Sequence, residues 1–283
     1  MSEIYRTQFG GEEVRRRYRA ALDAWPVPAE RITIPTSQGE TFVLAAGPEA
    51  APPVVLLHGA CSNALTWQDA APGWSRALRT YAVDLPGEPG LSTANRPALD
   101  SDAPSRWLAE VIAGLGLEAP ALVGASLGGW TALDFAVRHP DRVSRLALLA
   151  PGGVGPARFA WLLRWAMLRP FGEWGRRRSA ADVAGLDPVH DREVLDELSF
   201  VMSEFKPRTE KLPIFADELL ARLEMPTLVL CGARDAMFDS LETARRFRRR
   251  VPGAEVVVLP LAGHAVLDQA ETVRAFLTRP ARA

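Results

Sequence analysis

The sequence predicts an α/β architecture, a mostly parallel sheet covered by helices on both faces. Three observations carry that prediction. Short apolar runs bounded by Gly, Pro or Asp recur along the chain, helical patterns fill most of the intervals between them, and the runs are continuous rather than alternating, as strands buried on both faces should be. At 283 residues the chain has room for one large α/β domain with an insertion.

Taken in order, residues 1–28 read as a helical extension, with Val14, Tyr18, Leu22 and Trp25 on one stripe at helical spacing, a face expected to dock against the body. RITIPT and ETFVLAA, separated by Ser37-Gln38-Gly39, read as two strands joined by a short turn. Buried parallel strands are expected at 54–57, 81–83, 121–123, 146–149, 227–230 and 255–259, and helices at 104–115, 127–138, 241–250 and 266–278. After residue 149 the rhythm breaks, because the next strand comes only after about twice the length of a βαβ connection. That interval holds FAWLLRWAMLRPFGEW, a broadly apolar helix with Trp161, Trp165 and Phe171, and then DREVLDELSFVMSEF. Residues 152–215 are therefore read as a helical cap inserted over the sheet, dividing the core into 29–151 and 216–283.

Composition narrows the function class. A hydrophobic share of 48% and a charged share of 24% are ordinary for a globular protein, and a net charge of -1 gives no reason to expect nucleic acid or an anionic membrane as partner. Small molecules are the expected partners. Cys61 and Cys231 show neither a disulfide framework nor zinc-ligand spacing, so no metal site is expected. The early stretch EEVRRRYRAALDAW lacks the apolar core of a secretory signal, and no run is long enough to cross a bilayer, which predicts a cytoplasmic protein.

The chemistry centres on Gly124-Ala125-Ser126-Leu127-Gly128, which follows an expected strand and opens an expected helix, the context a nucleophile elbow requires. The helix dipole would stabilise an oxyanion beside Ser126. A serine hydroxyl needs a base within hydrogen-bond reach. Of four histidines, His139 ends a helix, His190 lies in the expected cap and His58 follows the first buried strand. His264, just beyond the strand at 255–259, stands on the same carboxyl edge of the sheet as Ser126. A carboxylate should fix its tautomer. Asp235, in the adjacent loop after the strand at 227–230, is the choice, with Asp239 in reserve. Oxyanion donors are expected from the backbone N–H groups of Leu127, which follows the nucleophile, and of Ala60, in the His58-Gly59-Ala60 loop.

With HGA at 58–60, VDLPGEPGLS at 83–92, VGASLGGW at 123–130, GARD at 232–235 and AGH at 262–264, the chain resembles the α/β-hydrolase fold proteins that carry a cap domain. The resemblance spans most of residues 40–275. It implies an eight-stranded sheet whose second strand runs antiparallel, with the cap inserted after the sixth strand and covering the active site. One departure stands out: many relatives have DLPGHGLS or similar where this chain has Glu88 and Pro89, near the site entrance in the family.

Serine rather than aspartate at the elbow favours acyl transfer to water through an acyl-enzyme. The leading expectation is a serine carboxylesterase-like hydrolase of a small, largely apolar ester, lactone or thioester, acting without a cofactor as monomer or homodimer. Trp161, Trp165 and Phe171 in the cap, with His58 below, are the expected substrate-pocket residues. The same triad would serve a carbon–carbon bond hydrolase, a cofactor-free haloperoxidase or an acyltransferase. A non-catalytic ligand receptor on the same fold is the alternative of another class.

Overall fold

The computed structural model describes residues 4–266 and 268–280. Its centre is an eight-stranded sheet, β1 (Ala29–Thr36), β2 (Gly39–Ala46), β3 (Pro53–Leu57), β4 (Arg79–Val83), β5 (Ala121–Ala125), β6 (Leu146–Leu149), β7 (Thr227–Gly232) and β8 (Glu255–Leu259), in the order β1-β2-β4-β3-β5-β6-β7-β8. β2 runs antiparallel to both β1 and β4, and β3 to β8 are parallel. Helices occur at α1 (Gln8–Asp23), α2 (Ala71–Trp74), α3 (Ala103–Gly114), α4 (Leu127–Arg138), α5 (Ala160–Leu168), α6 (Gly172–Ala184), α7 (Arg192–Glu204), α8 (Asp217–Leu220), α9 (Ser240–Arg250) and α10 (Ala270–Leu277). None of those described is long and apolar enough to cross a membrane.

The continuous apolar runs are explained by burial on both faces. In β3, Val55 and Leu57 join a core with Leu122, Leu133 and Phe247, while Val54 and Leu56 join a second core on the opposite face with Val123, Leu228 and Leu230. β8 departs from the expectation of a buried strand. Among the described residues it pairs only with β7, at the sheet edge, leaving Val257 41% exposed. The helix read from 266 begins at Ala270, and residue 267 lies outside those described.

The amino-terminal stripe docks as expected, with Val14, Tyr18 and Leu22 buried and Trp25 half-buried; residues 1–3 lie outside the description. It meets two partners. The Tyr18 hydroxyl donates to Asp84 Oδ1 in the core at 2.9 Å, while Tyr5 bridges Phe205 in antiparallel fashion and Arg17 lies over the Phe200 ring of the inserted helices.

Between β6 and β7 the chain builds α5, α6, α7 and the short α8. Its departing and returning ends meet, the Phe215 N–H donating to the Gly153 carbonyl at 2.8 Å. The end of α6 rests on the loop that carries His264. Ala265 N–H donates to Ala184 O at 2.7 Å, and Gly185 approaches Gly263 so closely that a Cβ on Gly185 would stand 2.4 Å from the Gly263 Cα.

Candidate active site

The strand-to-helix turn after β5 is tight enough to explain its glycines. A Cβ on Gly128 would fall 2.1 Å from the Leu57 carbonyl oxygen, so only glycine lets α4 start this close to β3. Ser126 pays for the turn with a positive φ of 51°, a conformation that side chains other than glycine rarely adopt and that recurs at functional turns. Leu149 O and the Trp130 N–H hold its backbone on either side.

Three side chains from three loops converge here. Ser126 Oγ lies 2.9 Å from His264 Nε2, and His264 Nδ1 lies 3.0 Å from Asp235 Oδ2. An ionised carboxylate only accepts, so Nδ1 carries the imidazole proton and Nε2 faces the serine hydroxyl as acceptor. Asp235 is buried, and burial opposes its charge. The hydrogen bond and charge of His264, with the N–H groups of Phe238 and Met237 on Oδ1, outweigh that opposition and hold the carboxyl below its ordinary range. The Phe238 ring stands edge-on to the imidazole, with centroids 5.3 Å apart.

The reserve carboxylate is occupied elsewhere. Asp239 caps α9 through the Glu242 N–H and pairs with Arg158 at 3.3 Å. His139 terminates α4 against Phe135, and His190 is exposed beside Asp187.

The segments expected to supply the oxyanion donors both border the serine. Leu127 opens α4, where a backbone N–H has no intrahelical acceptor. The 58–61 loop passes directly over the elbow: a Cβ on Gly59 would lie 3.5 Å from Ser126 Cβ. No hydrogen bond among the described residues uses the Ala60 N–H.

His58 does not line a pocket. It is fully buried, its Nε2 accepts the Leu85 N–H at 2.9 Å, and Nδ1 therefore donates to Gly59 O at 2.7 Å. Burial pushes the imidazole down to about 4, so it stays neutral in this double role. It clamps the very peptide whose N–H belongs to Ala60. The inserted aromatics differ in exposure. Trp161 is half-buried and Trp165 is 37% exposed, but Phe171 is 63% exposed and stacks edge-to-face on Trp174, itself 62% exposed. α5 packs against α6, and its Leu163 and Met167 are largely exposed.

Sequence reasoning missed a buried carboxylate pair behind the loop. Asp84 accepts from the Ala64 and Leu91 N–H groups as well as from Tyr18, and burial, against those bonds, raises it to about 6. Glu88 accepts the Cys61 N–H. The only sequence signal was the departure at 88–89. Among the described residues, no group of three or more His, Cys, Asp or Glu side chains is placed to hold a metal ion.

Along nearly its whole length the chain is similar to carboxylesterases of Bacillus subtilis. An uncharacterized carboxylesterase, nap, of Bacillus subtilis (strain 168) is 30% identical over 280 residues, covering 94% of this chain and 90% of that one. The crystal structure of carboxylesterase CesB (YbfK) from Bacillus subtilis superposes with a TM-score of 0.80 at 29% identity, over 94% of this chain and 96% of the other. Naproxen esterase (carboxylesterase NP) from Bacillus subtilis gives a TM-score of 0.80 at 29% identity over 96% of each chain. The family model for the alpha/beta hydrolase family matches residues 54–276, and the chain belongs to that family.

Proposed function

We propose that this protein hydrolyses a carboxylic ester, lactone or thioester of a small, largely apolar substrate through an acyl-enzyme on Ser126. The observation that carries the reading is the unbroken relay from Ser126 through His264 to Asp235, with spacings of 2.9 and 3.0 Å. Ser126 Oγ attacks the acyl carbon as His264 Nε2 takes its proton. The carbonyl oxygen becomes an oxyanion, which the N–H groups of Ala60 and Leu127 and the positive end of α4 stabilise. Collapse of the tetrahedral adduct breaks the bond to the alcohol or thiol, which leaves with the proton from His264. Water, deprotonated by the same imidazole, then attacks the acyl-enzyme and frees the acid and Ser126.

The carboxylesterases similar to this chain along nearly their whole length support ester hydrolysis in particular. In this reading residues 152–215 act as the cap, because α6 rests on the His264 loop, with Trp161 and Trp165 as its substrate-facing aromatics, and the enzyme works in the cytoplasm without a cofactor. Hydrolysis of short and medium p-nitrophenyl esters, abolished in Ser126→Ala, is the expected result. A fluorophosphonate probe should label the wild type and spare the variant. Turnover that survives the substitution would refute the assignment.

A further inference from the structure

Four hydrogen bonds hang the 58–64 loop from the 84–91 loop. The Leu85 N–H donates to His58, the Cys61 N–H to Glu88 Oε2 at 2.8 Å, Asn63 Nδ2 to Pro89 O, and the Ala64 N–H to Asp84. Those to His58 and Glu88 flank Ala60. The bond to Glu88 holds a strained point, since Cys61 has a φ of 60° without being glycine.

Glu88 is an expensive residue to put there. Its side chain is buried, and Oε1 accepts no hydrogen bond from any described residue. Its nearest counter-charge is Arg208, whose side chain is only 8% exposed, with Nε 4.0 Å from Oε1, in the segment that leads from α7 back to the core. Arg208 is itself fixed by Pro97 O at 2.9 Å and by Glu210 at 3.6 Å. An exposed loop needs no such ion pair.

We propose that Glu88 is a positioning residue, whose carboxylate fixes the strained Ala60–Cys61 turn so that the Ala60 N–H is aimed at the oxyanion, and that Arg208 ties this anchor to the returning end of the inserted helices. The inference rests on the acyl-enzyme reading above. Glu88 touches neither substrate nor Ser126; it acts through the loop. Burial pushes its carboxyl up to about 7, against the Cys61 N–H and the charges of Arg208 and Arg96 and with that of Glu210, while Tyr5 and the Cys61 thiol are the other titratable groups facing it. The carboxylate anchor is therefore lost as pH falls through about 7.

The test compares wild type, Glu88→Gln and Glu88→Ala on p-nitrophenyl acetate at pH 8. Gln retains an acceptor without charge; Ala removes both. We expect kcat to fall about tenfold in Glu88→Gln and about 100-fold in Glu88→Ala, with KM within about twofold, because the lost interaction serves the transition state. Affinity for an aryl trifluoromethyl ketone, whose adduct with Ser126 bears an oxyanion, should fall by the same factors. The acid limb of kcat/KM should be steeper in wild type than in Glu88→Gln, which has lost the Glu88 proton. A Glu88→Gln enzyme as fast as wild type, or slower with unaltered inhibitor affinity, overturns the proposal. Should Glu88→Ala not fold, Glu88→Gln alone decides. If the wild type turns over no ester, the acyl-enzyme reading fails, and amide exchange still tests the anchor: protection over 58–63 should drop in Glu88→Gln, and unchanged protection refutes it.

Discussion

The strands that present Ser126 and Asp235 and the helices inserted between β6 and β7 are both rich in apolar residues, and they use them in opposite ways. In β5 and β7, Leu122, Val123, Val229 and Leu230 are all buried between two helical layers. In α5 and just beyond it, Leu163, Met167, Phe171 and Trp174 are largely exposed. An apolar run thus marks a buried element only where the topology supplies a neighbour on each face. The difference matters for chemistry, because a hydrogen-bonded relay must be held to fractions of an ångström, and packing on both faces does that. The inserted helices meet the site where α6 rests on the His264 loop.

If the sheet edge is the seat of catalysis, the largest effect in the molecule belongs to a small substitution there. Ser126→Ala should reduce kcat about 10⁵-fold while leaving thermal unfolding nearly unchanged, since it removes one hydroxyl from a turn the backbone already holds. Steady-state kinetics beside a melting curve checks both halves. Next comes the core itself. Phe135, fully buried in α4 against His139, should cost about 3–5 kcal/mol as Phe135→Ala in urea unfolding. A loss under about 1 kcal/mol would mean the packing contrast between core and insertion is false.

A smaller effect tests the boundary between the two regions, where Glu88 meets Arg208. The folded state raises the Glu88 carboxyl from its ordinary value to about 7, so between those values the folded protein binds a proton that the unfolded chain has lost. Stability from this group is therefore present in acid and lost as pH rises through 7. Glu88→Gln, which cannot ionise, should melt with wild type at pH 5 and above it at pH 8, by on the order of 1–3 kcal/mol. The same substitution that slows the enzyme would then stabilise it. A variant melting below wild type at pH 8 would show the carboxylate to be a net structural support.

How much of this was legible in the sequence follows from where the determinants lie. Ser126, Asp235 and His264 each come soon after a continuous apolar run, so strand direction alone brings them to one edge, and the roles proposed for them follow from residue type. The sheet order has no such local signal. β8, with three consecutive valines, reads like an interior strand and is an edge. His58 illustrates a second limit: a histidine before glycine looks available for substrate, and only its ring orientation, with both nitrogens engaged, removes it. Glu88 was visible as a departure, but its burial comes from chain as remote as Arg208, which no window of sequence contains.

The smallest predicted effect bears on the exposed aromatics of the insertion. Phe171→Ser removes a ring that is mostly in solvent and contacts Trp174 edge-on, so the lost contact is worth about 0.5–1 kcal/mol at most and the lost burial less. The melting temperature should shift by no more than about 2 °C, and kcat on p-nitrophenyl acetate should stay within about twofold, because no element of the relay rests on this ring. The informative measurement is KM along a series of p-nitrophenyl esters of increasing acyl length. If the insertion closes its apolar face over a long substrate, KM should rise with chain length in Phe171→Ser relative to wild type. A flat ratio across the series would leave these aromatics without a part in binding and put the selection of substrate on the sheet side of the site, among groups such as Phe238 that already touch His264.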